Sequence, residues 1–196
     1  MEILVGFEES QEITKAFRER GHIAYSCDIL PCSGGHPEWH IQSDIKDVIK
    51  DSSFYVPLII LHPPCTKLAV SGNRWYGKGK DGYNERLASI MWTNDIWELA
   101  KKRSNRTALE NPVSVIFNHI RYNDLFYIQP YQFGHGETKK TGFATVGLPR
   151  LKPTNIVDGR EQRIWKMPPS PQRKILRSKT YPGIAEAIAK QWGSLL

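Results

Sequence analysis

Leu58-Ile59-Ile60-Leu61 is the stretch that most restricts how this chain can fold. It lies between Pro57 and the pair Pro63-Pro64, and none of its four side chains is polar. A short apolar run with two adjacent isoleucines reads as a strand buried on both faces, as inside a parallel sheet. The prolines end the strand, because they donate no amide hydrogen and fix φ. Cys65 is thereby held just beyond the carboxyl end of a central strand, where open α/β sheets bind ligands and do chemistry. Ser71, Gly72 and Asn73 follow as turn formers able to fold the loop back over a substrate. Most cysteines are small buried hydrophobes. This one has a rigid mount and a polar loop bearing Lys67 and Arg74, either of which would favour the thiolate if close. Cys65 is therefore a candidate nucleophile.

The rest of the chain supplies a sheet for that strand. Glu2 to Phe7 reads as a first strand, Ser10 as a helix cap, Gln11 to Arg20 as a helix closing at Gly21, and His22 to Asp28 as a second strand. That order is a βαβ opening of the Rossmann type. An acid at the tip of the second strand is the usual partner of ribose hydroxyls, which makes Asp28 a candidate for a nucleoside-bearing cofactor. Ser43-Asp44-Ile45-Lys46 reads as the end of a third strand, with a short helix through Lys50. Cys27, Cys32, His36 and His40 match no common zinc spacing, so no metal is assigned.

Beyond Cys65, Asn84 to Lys102 reads as a helix with Leu87, Ile90, Met91, Ile96 and Leu99 on its apolar face. Thr107 to Pro112 reads as a fifth strand running into Glu110-Asn111-Pro112, which puts an acid and an amide at a carboxyl end beside that of Cys65. A short helix is expected over Val113 to Ile120, and strands over Ile128 to Phe133 and Gly142 to Val146. Pro149 to Arg177 is irregular and basic, and Pro182-Gly183 opens a last helix with Ile184, Ala185, Ile188 and Ala189 inward.

A length of 196 residues suits one sizeable core. No apolar run would span a bilayer, no basic leader is visible at the N-terminus, and three cysteines suggest no disulfide framework, so a cytoplasmic protein without membrane contact is expected. The net charge of +7 favours a polyanionic partner. Lys139, Lys140, Arg150, Lys152, Arg160, Arg163, Lys166, Arg173, Lys174, Arg177 and Lys179 crowd the last third, with Trp165 and Tyr181 among them. Such side chains suit phosphates and stacked bases.

A thiolate adds to a pyrimidine carbon only if the ring is polarised as charge develops, and a carboxyl group at a ring nitrogen does this. Cys65 on one strand end and Glu110 on the next provide the pair. With Pro64-Cys65, Glu110-Asn111-Pro112, the loop Leu68-Ala69-Val70-Ser71-Gly72, Asp28, Asp44-Ile45 and Pro182 all in order, the chain resembles the DNA cytosine-5 methyltransferase family. The resemblance implies a Rossmann-like, S-adenosylmethionine-dependent methyltransferase fold with a mainly parallel doubly wound sheet, spanning residues 1–196 as a single catalytic domain. It implies Cys65 as nucleophile, Glu110 at the ring nitrogen and exocyclic amine, Asn111 holding the loop, and Lys139 in place of a family arginine. Phe7, Glu8, Asp28, Asp44, Ile45 and Pro63 would contact S-adenosylmethionine, and DNA would offer a flipped base.

The chain differs from the family in two ways. Glu8-Glu9 stand where glycines are usual, and residues 148–177 are a short basic segment in place of a target-recognition domain, a compact form similar to phage and prophage proteins. A protein partner supplying specificity, a catalytically silent nucleic-acid-binding protein and an enzyme acting on free pyrimidine nucleotides or RNA are the alternatives.

Overall fold

The computed structural model describes residues 2–51, 56–168, 170 and 177–196. The described residues form one seven-stranded sheet in the order β3-β2-β1-β4-β5-β7-β6. Its strands are β1 (Ile3–Gly6), β2 (Ala24–Asp28), β3 (His40–Gln42), β4 (Leu58–Leu61), β5 (Thr107–Pro112), β6 (Asp124–Ile128) and β7 (Thr141–Val146). The first five are parallel, and β7 enters antiparallel between β5 and β6. The fold class expected from the sequence is therefore observed, with an antiparallel hairpin at one edge.

The apolar run behaves as its composition requires. Leu58, Ile59, Ile60 and Leu61 are fully buried, paired with β1 on one side and β5 on the other. Alternate side chains serve different layers. Leu58 and Ile60 join Ile3, Val5, Phe17 and Trp192 beneath α1 (Glu12–Arg18) and the C-terminal helix α6 (Pro182–Gly193). Ile59 and Leu61 join Leu4, Ile45 and Trp97 beneath α2 (Ile45–Lys50) and α4 (Tyr83–Arg103). Burial of each such side chain contributes roughly 1.5–3 kcal/mol. The chain leaves β1 toward β2 and β3 but leaves β4 toward β5, so the winding reverses between β1 and β4. A crevice opens at the carboxyl ends of strands where such a reversal occurs.

Several local expectations shift. Ser10 does not cap α1; Gln11 occupies that position at φ 57°, and the carboxylate of Glu8 takes the free amides of Ile13 and Thr14. Lys46 lies in α2, which Asp44 caps through Lys46 N at 2.8 Å. The inward face of α4 is Arg86, Ile90, Thr93, Trp97 and Ala100, spaced four, three, four and three. Ile96 is also buried, whereas Leu87 and Met91 point outward, 38% and 69% exposed. In place of a helix over 113–120, Ser114 caps a single 3-10 turn at Val115–Asn118.

The strand expected at Ile128–Phe133 lies earlier, at β6. Pro130 cannot continue a ladder, and Gln129 and Gln132 close a capping box around a 3-10 turn at Pro130–Gln132. Residues 149–168 are mostly irregular, as expected, with one helical turn, α5 (Arg163–Lys166). The remaining short helix, α3 (Asn73–Tyr76), follows the Cys65 loop.

Candidate active site

β1, β4 and β5 end together, and the loops leaving them enclose a cleft of about 130 Å³ lined by Phe7, His62, Cys65, Glu110, Asn111 and Lys139 among others. The mounting is local. His62 N bonds Gly6 O at 3.0 Å, Pro63 is buried, and Leu68 and Ala69 both donate backbone N–H groups to Cys65 O, which closes a tight turn behind the thiol. Asn111 Nδ2 donates to Pro63 O at 3.0 Å and ties the β5 exit to the β4 exit. Its Oδ1 is buried without a hydrogen-bond partner among the described residues.

Around the thiol the charges alternate. Glu110 accepts from His62 Nδ1 at 3.1 Å, with both side chains largely buried. Burial pushes the Glu110 carboxyl upward, but the His62 bond and charge and the Lys139 ammonium more than offset it, leaving the group below the usual carboxylate range. Burial, and then the Glu110 charge, push the Cys65 thiol up, against the pull of Arg177 and Lys139. Desolvation holds Lys139 below an ordinary lysine despite Glu110 and Cys65. The Glu110 charge thus opposes ionisation of the Cys65 thiol, and neutralising that charge would favour the thiolate.

The positive groups expected beside the thiol are elsewhere. Lys67 pairs with Glu85 at 2.8 Å, and Arg74 stacks on Trp75 at 4.3 Å. The loop carrying them is gripped by Arg86, whose guanidinium donates to Lys67 O (2.6 Å), Asn73 Oδ1 (2.6 Å) and Ala69 O (3.2 Å). Lys139 extends from the strand-7 side of the cleft and donates to Arg177 O at 2.7 Å and Lys179 O at 3.3 Å. Glu137 binds Arg163 at 2.9 Å and the Tyr181 hydroxyl at 2.8 Å, so the C-terminal third is fastened beside the cleft.

Not all of the basic stretch is available to a polyanion. Arg150 makes a bidentate pair with Asp124, and Arg163 is held by Glu137. Arg177 stands at the cleft itself. Arg173, Lys174 and the Trp165 side chain lie outside the described residues.

The residues expected at a cofactor divide into two groups. Phe7, at φ 63°, turns the chain off β1 and sets its ring 5.5 Å from Trp92. Asp28 stands at the β2 tip with one oxygen on Leu30 N at 3.0 Å, beside the exposed apolar side chains of Ile29 and Leu30. Asp44 is exposed at the α2 cap. By contrast, Ile45 is buried in the core against Gly6, where an added Cβ would come within 2.8 Å of it. Glu8 is turned inward onto α1 and also receives the Thr14 hydroxyl at 2.6 Å. Of the cysteines set aside from zinc, Cys27 is buried, and burial followed by the Asp28 charge pushes its thiol up to about 12.

His62 and Arg86 carry no motif in the sequence, and Arg177 stands there only as one of the basic residues of the last third. His62 had a visible signal, since it is the residue at which β4 enters the proline pair. A larger hollow of about 420 Å³ lies near Arg18, His22 and Trp39, away from Cys65 and Glu110.

No protein-family model matches the sequence, and no curated protein matches it. Solved structures do resemble it. A protein described as a DNA modification methyltransferase encoded within a prophage of E. coli superposes with a TM-score of 0.51 at 14% identity, over 86% of this chain and 55% of the other. The methyltransferase EhMeth of Entamoeba histolytica does so with a TM-score of 0.51 at 16% identity, over 83% and 57%. The fold is that of the Rossmann-like methyltransferases. The chain spans a little over half the length of these relatives. In this methyltransferase fold, the cleft with Cys65 and Glu110 occupies the crevice where the sheet reverses.

Proposed function

We propose that this chain is an S-adenosylmethionine-dependent methyltransferase acting on carbon 5 of cytosine in DNA through a covalent Cys65 adduct. The observation that carries the reading is the meeting of Cys65 and Glu110 in one cleft at the ends of adjacent strands. The neighbours' fold and the two methyltransferase descriptions support it.

The residues present suit the cofactor. Ile29 and Leu30 expose apolar surface beside the Asp28 carboxylate, and Phe7 adds a ring in the turn after β1 that lines the cleft, an apolar and hydrogen-bonding combination that an adenosine requires. Phe7, Asp28 and Asp44 would hold that group, and Pro63 would border it. When bound, the cofactor supplies the electrophilic methyl that an activated carbon 5 takes.

The chain's own residues do the rest. Glu110 receives the Cys65 proton and, as a carboxyl group, donates it to the ring nitrogen while accepting from the exocyclic amine, which leaves Cys65 as the thiolate. The thiolate adds to carbon 6, and the electron pair of the 5,6 double bond becomes available at carbon 5. Loss of the carbon 5 proton to a base and departure of the thiolate from carbon 6 restore the double bond. Arg177 lines the cleft, and the basic residues of the C-terminal third suit DNA phosphates; with only residues 148–177 between β7 and the end of the site, a protein partner would supply sequence specificity.

One observation favours a second reading, a silent DNA-binding protein of the same fold: Glu8, in the turn that would face the cofactor, is committed to α1. Mass spectrometry of nucleosides from DNA incubated with the pure protein and S-adenosylmethionine separates the two. 5-Methyldeoxycytidine is expected with the native chain and none with Cys65→Ser. Product from Cys65→Ser would overturn the adduct, and no product together with no cofactor binding in calorimetry would favour the silent reading.

A further inference from the structure

The strongest unexplained side chain in the cleft is His62. It bonds the buried carboxylate of Glu110 and acts electrostatically on that of Glu8. Glu110 at the β5 end bonds its Nδ1 at 3.1 Å, and Glu8, from the turn after β1, is close enough for His62 to lower its pKa. Its main chain is pinned to Gly6 O, and only 12% of its side chain is exposed. Lys139, ahead of β7, acts on the same carboxylate, and Cys65 follows three residues later in the same loop. These are the titratable groups that face it.

The chemistry of the bond fixes its direction. An ionised carboxylate can only accept, so His62 Nδ1 carries the hydrogen and Glu110 Oε2 receives it. One carboxylate oxygen is thereby immobilised and the other, Oε1, is left to meet a ligand in the cleft. The second ring nitrogen, Nε2, is buried and has no hydrogen-bond partner among the described residues, so among them the bond to Glu110 is the ring's one side-chain hydrogen bond.

Resting on the reading above, we propose that His62 is a positioning residue for Glu110: its Nδ1–H fixes one carboxylate oxygen so that the other is set to take up a proton and donate it to the ring nitrogen of the target cytosine. A carboxylate freed from this bond rotates about its last two torsions, and a displacement of about 1 Å at a reacting group costs on the order of 100-fold in rate.

The test compares His62→Leu, which removes the donor, with His62→Asn, whose side-chain amide restores an N–H at the place of Nδ1. His62→Leu is expected to lower kcat on DNA about 100-fold with little change in KM, and to move the acid limb of the pH profile upward. His62→Asn is expected to recover most of the rate. A second measurement does not depend on turnover: the Glu110 carboxyl is followed by carbon NMR of glutamate-labelled protein, assigned by its loss in Glu110→Gln. Its titration is expected to move to higher pH in His62→Leu and to move less far in His62→Asn, which restores the bond but not the imidazole's charge. Equal damage in both variants with an unmoved Glu110 titration would overturn the proposal. If the native chain makes no 5-methyldeoxycytidine, the methyltransferase reading fails separately, and the NMR titration alone decides whether His62 governs Glu110.

Discussion

Two loops meet above the β1–β4 boundary, and each is held by one buried charge of opposite sign. In the turn after β1, Glu8 is 5% exposed and accepts from Ile13 N, Thr14 N and Thr14 Oγ1. In the loop after β4, Arg86 is 4% exposed and donates to Lys67 O, Ala69 O and Asn73 Oδ1. The sign follows from which backbone groups are free. A helix start leaves amides without partners, which suit an anion. The loop around Cys65 turns carbonyls inward, and these suit the forked donor array of a guanidinium. In both places most of the hydrogen bonds to the buried group come from backbone.

The two devices differ in what they permit. The β1 turn also forces Phe7 and Gln11 to positive φ, 63° and 57°, at a cost of roughly 1–2 kcal/mol each for residues with a Cβ. Gln11 is held there by its own network, donating to His36 O at 2.8 Å and accepting from His36 N at 3.1 Å. The Cys65 loop carries no such strain. Arg86 stays charged at any accessible pH, whereas Glu8 titrates. The anchor of the Cys65 loop is therefore independent of pH, and that of the turn after β1 is not.

The largest effect outside the reacting groups is expected from Arg86→Ala. It leaves buried carbonyls without donors, at about 2–3 kcal/mol by chemical denaturation, and turnover should fall as well because the Cys65 turn loses its anchor. A loss of stability smaller than that of Glu8→Ala would break the comparison. The Glu8 effect is intermediate and depends on pH. Burial raises its carboxyl above the ordinary 4.5, against the opposing pull of His62 and the Thr14 and Ile13 bonds. The folded chain thus binds this proton more tightly than the unfolded chain. Its stabilising contribution is complete below 4.5 and is lost as pH rises through the folded value.

Glu8→Gln should flatten the stability profile in that window, as read from denaturation midpoints at several pH values. Glu110, held below 4.5, contributes in the opposite sense, with stability lost as pH falls through its folded value, so the two windows are separable. The smallest effect is expected for Lys67→Ala. Its pair with Glu85 is exposed, and the melting midpoint should not move measurably. A clear shift there would mean that the loop depends on surface charge as well as on Arg86.

Among the described residues, no helix is long and apolar enough to cross a membrane.

The sequence by itself determined the parallel core and the ends of its strands. Leu58–Leu61 and Thr107–Pro112 fall where their apolar runs and bounding prolines place them, because strand burial and proline termination are local properties. Cys65 and Glu110 were legible for the same reason, since neighbouring parallel strands bring their carboxyl ends together. The outward turn of Leu87 and Met91 was not legible, because α4 has two competing stripes and the sheet selected the one with Arg86, Thr93 and Trp97. Only the tertiary structure joined His62 to Glu110, 48 residues away, and Arg86 to the carbonyl of Lys67, 19 residues back. It likewise moved β6 earlier and took the positive groups near Cys65 from Lys139 and Arg177 instead of Lys67 and Arg74. Such pairings are decided by which loops the sheet brings face to face, and no periodicity along the chain records that.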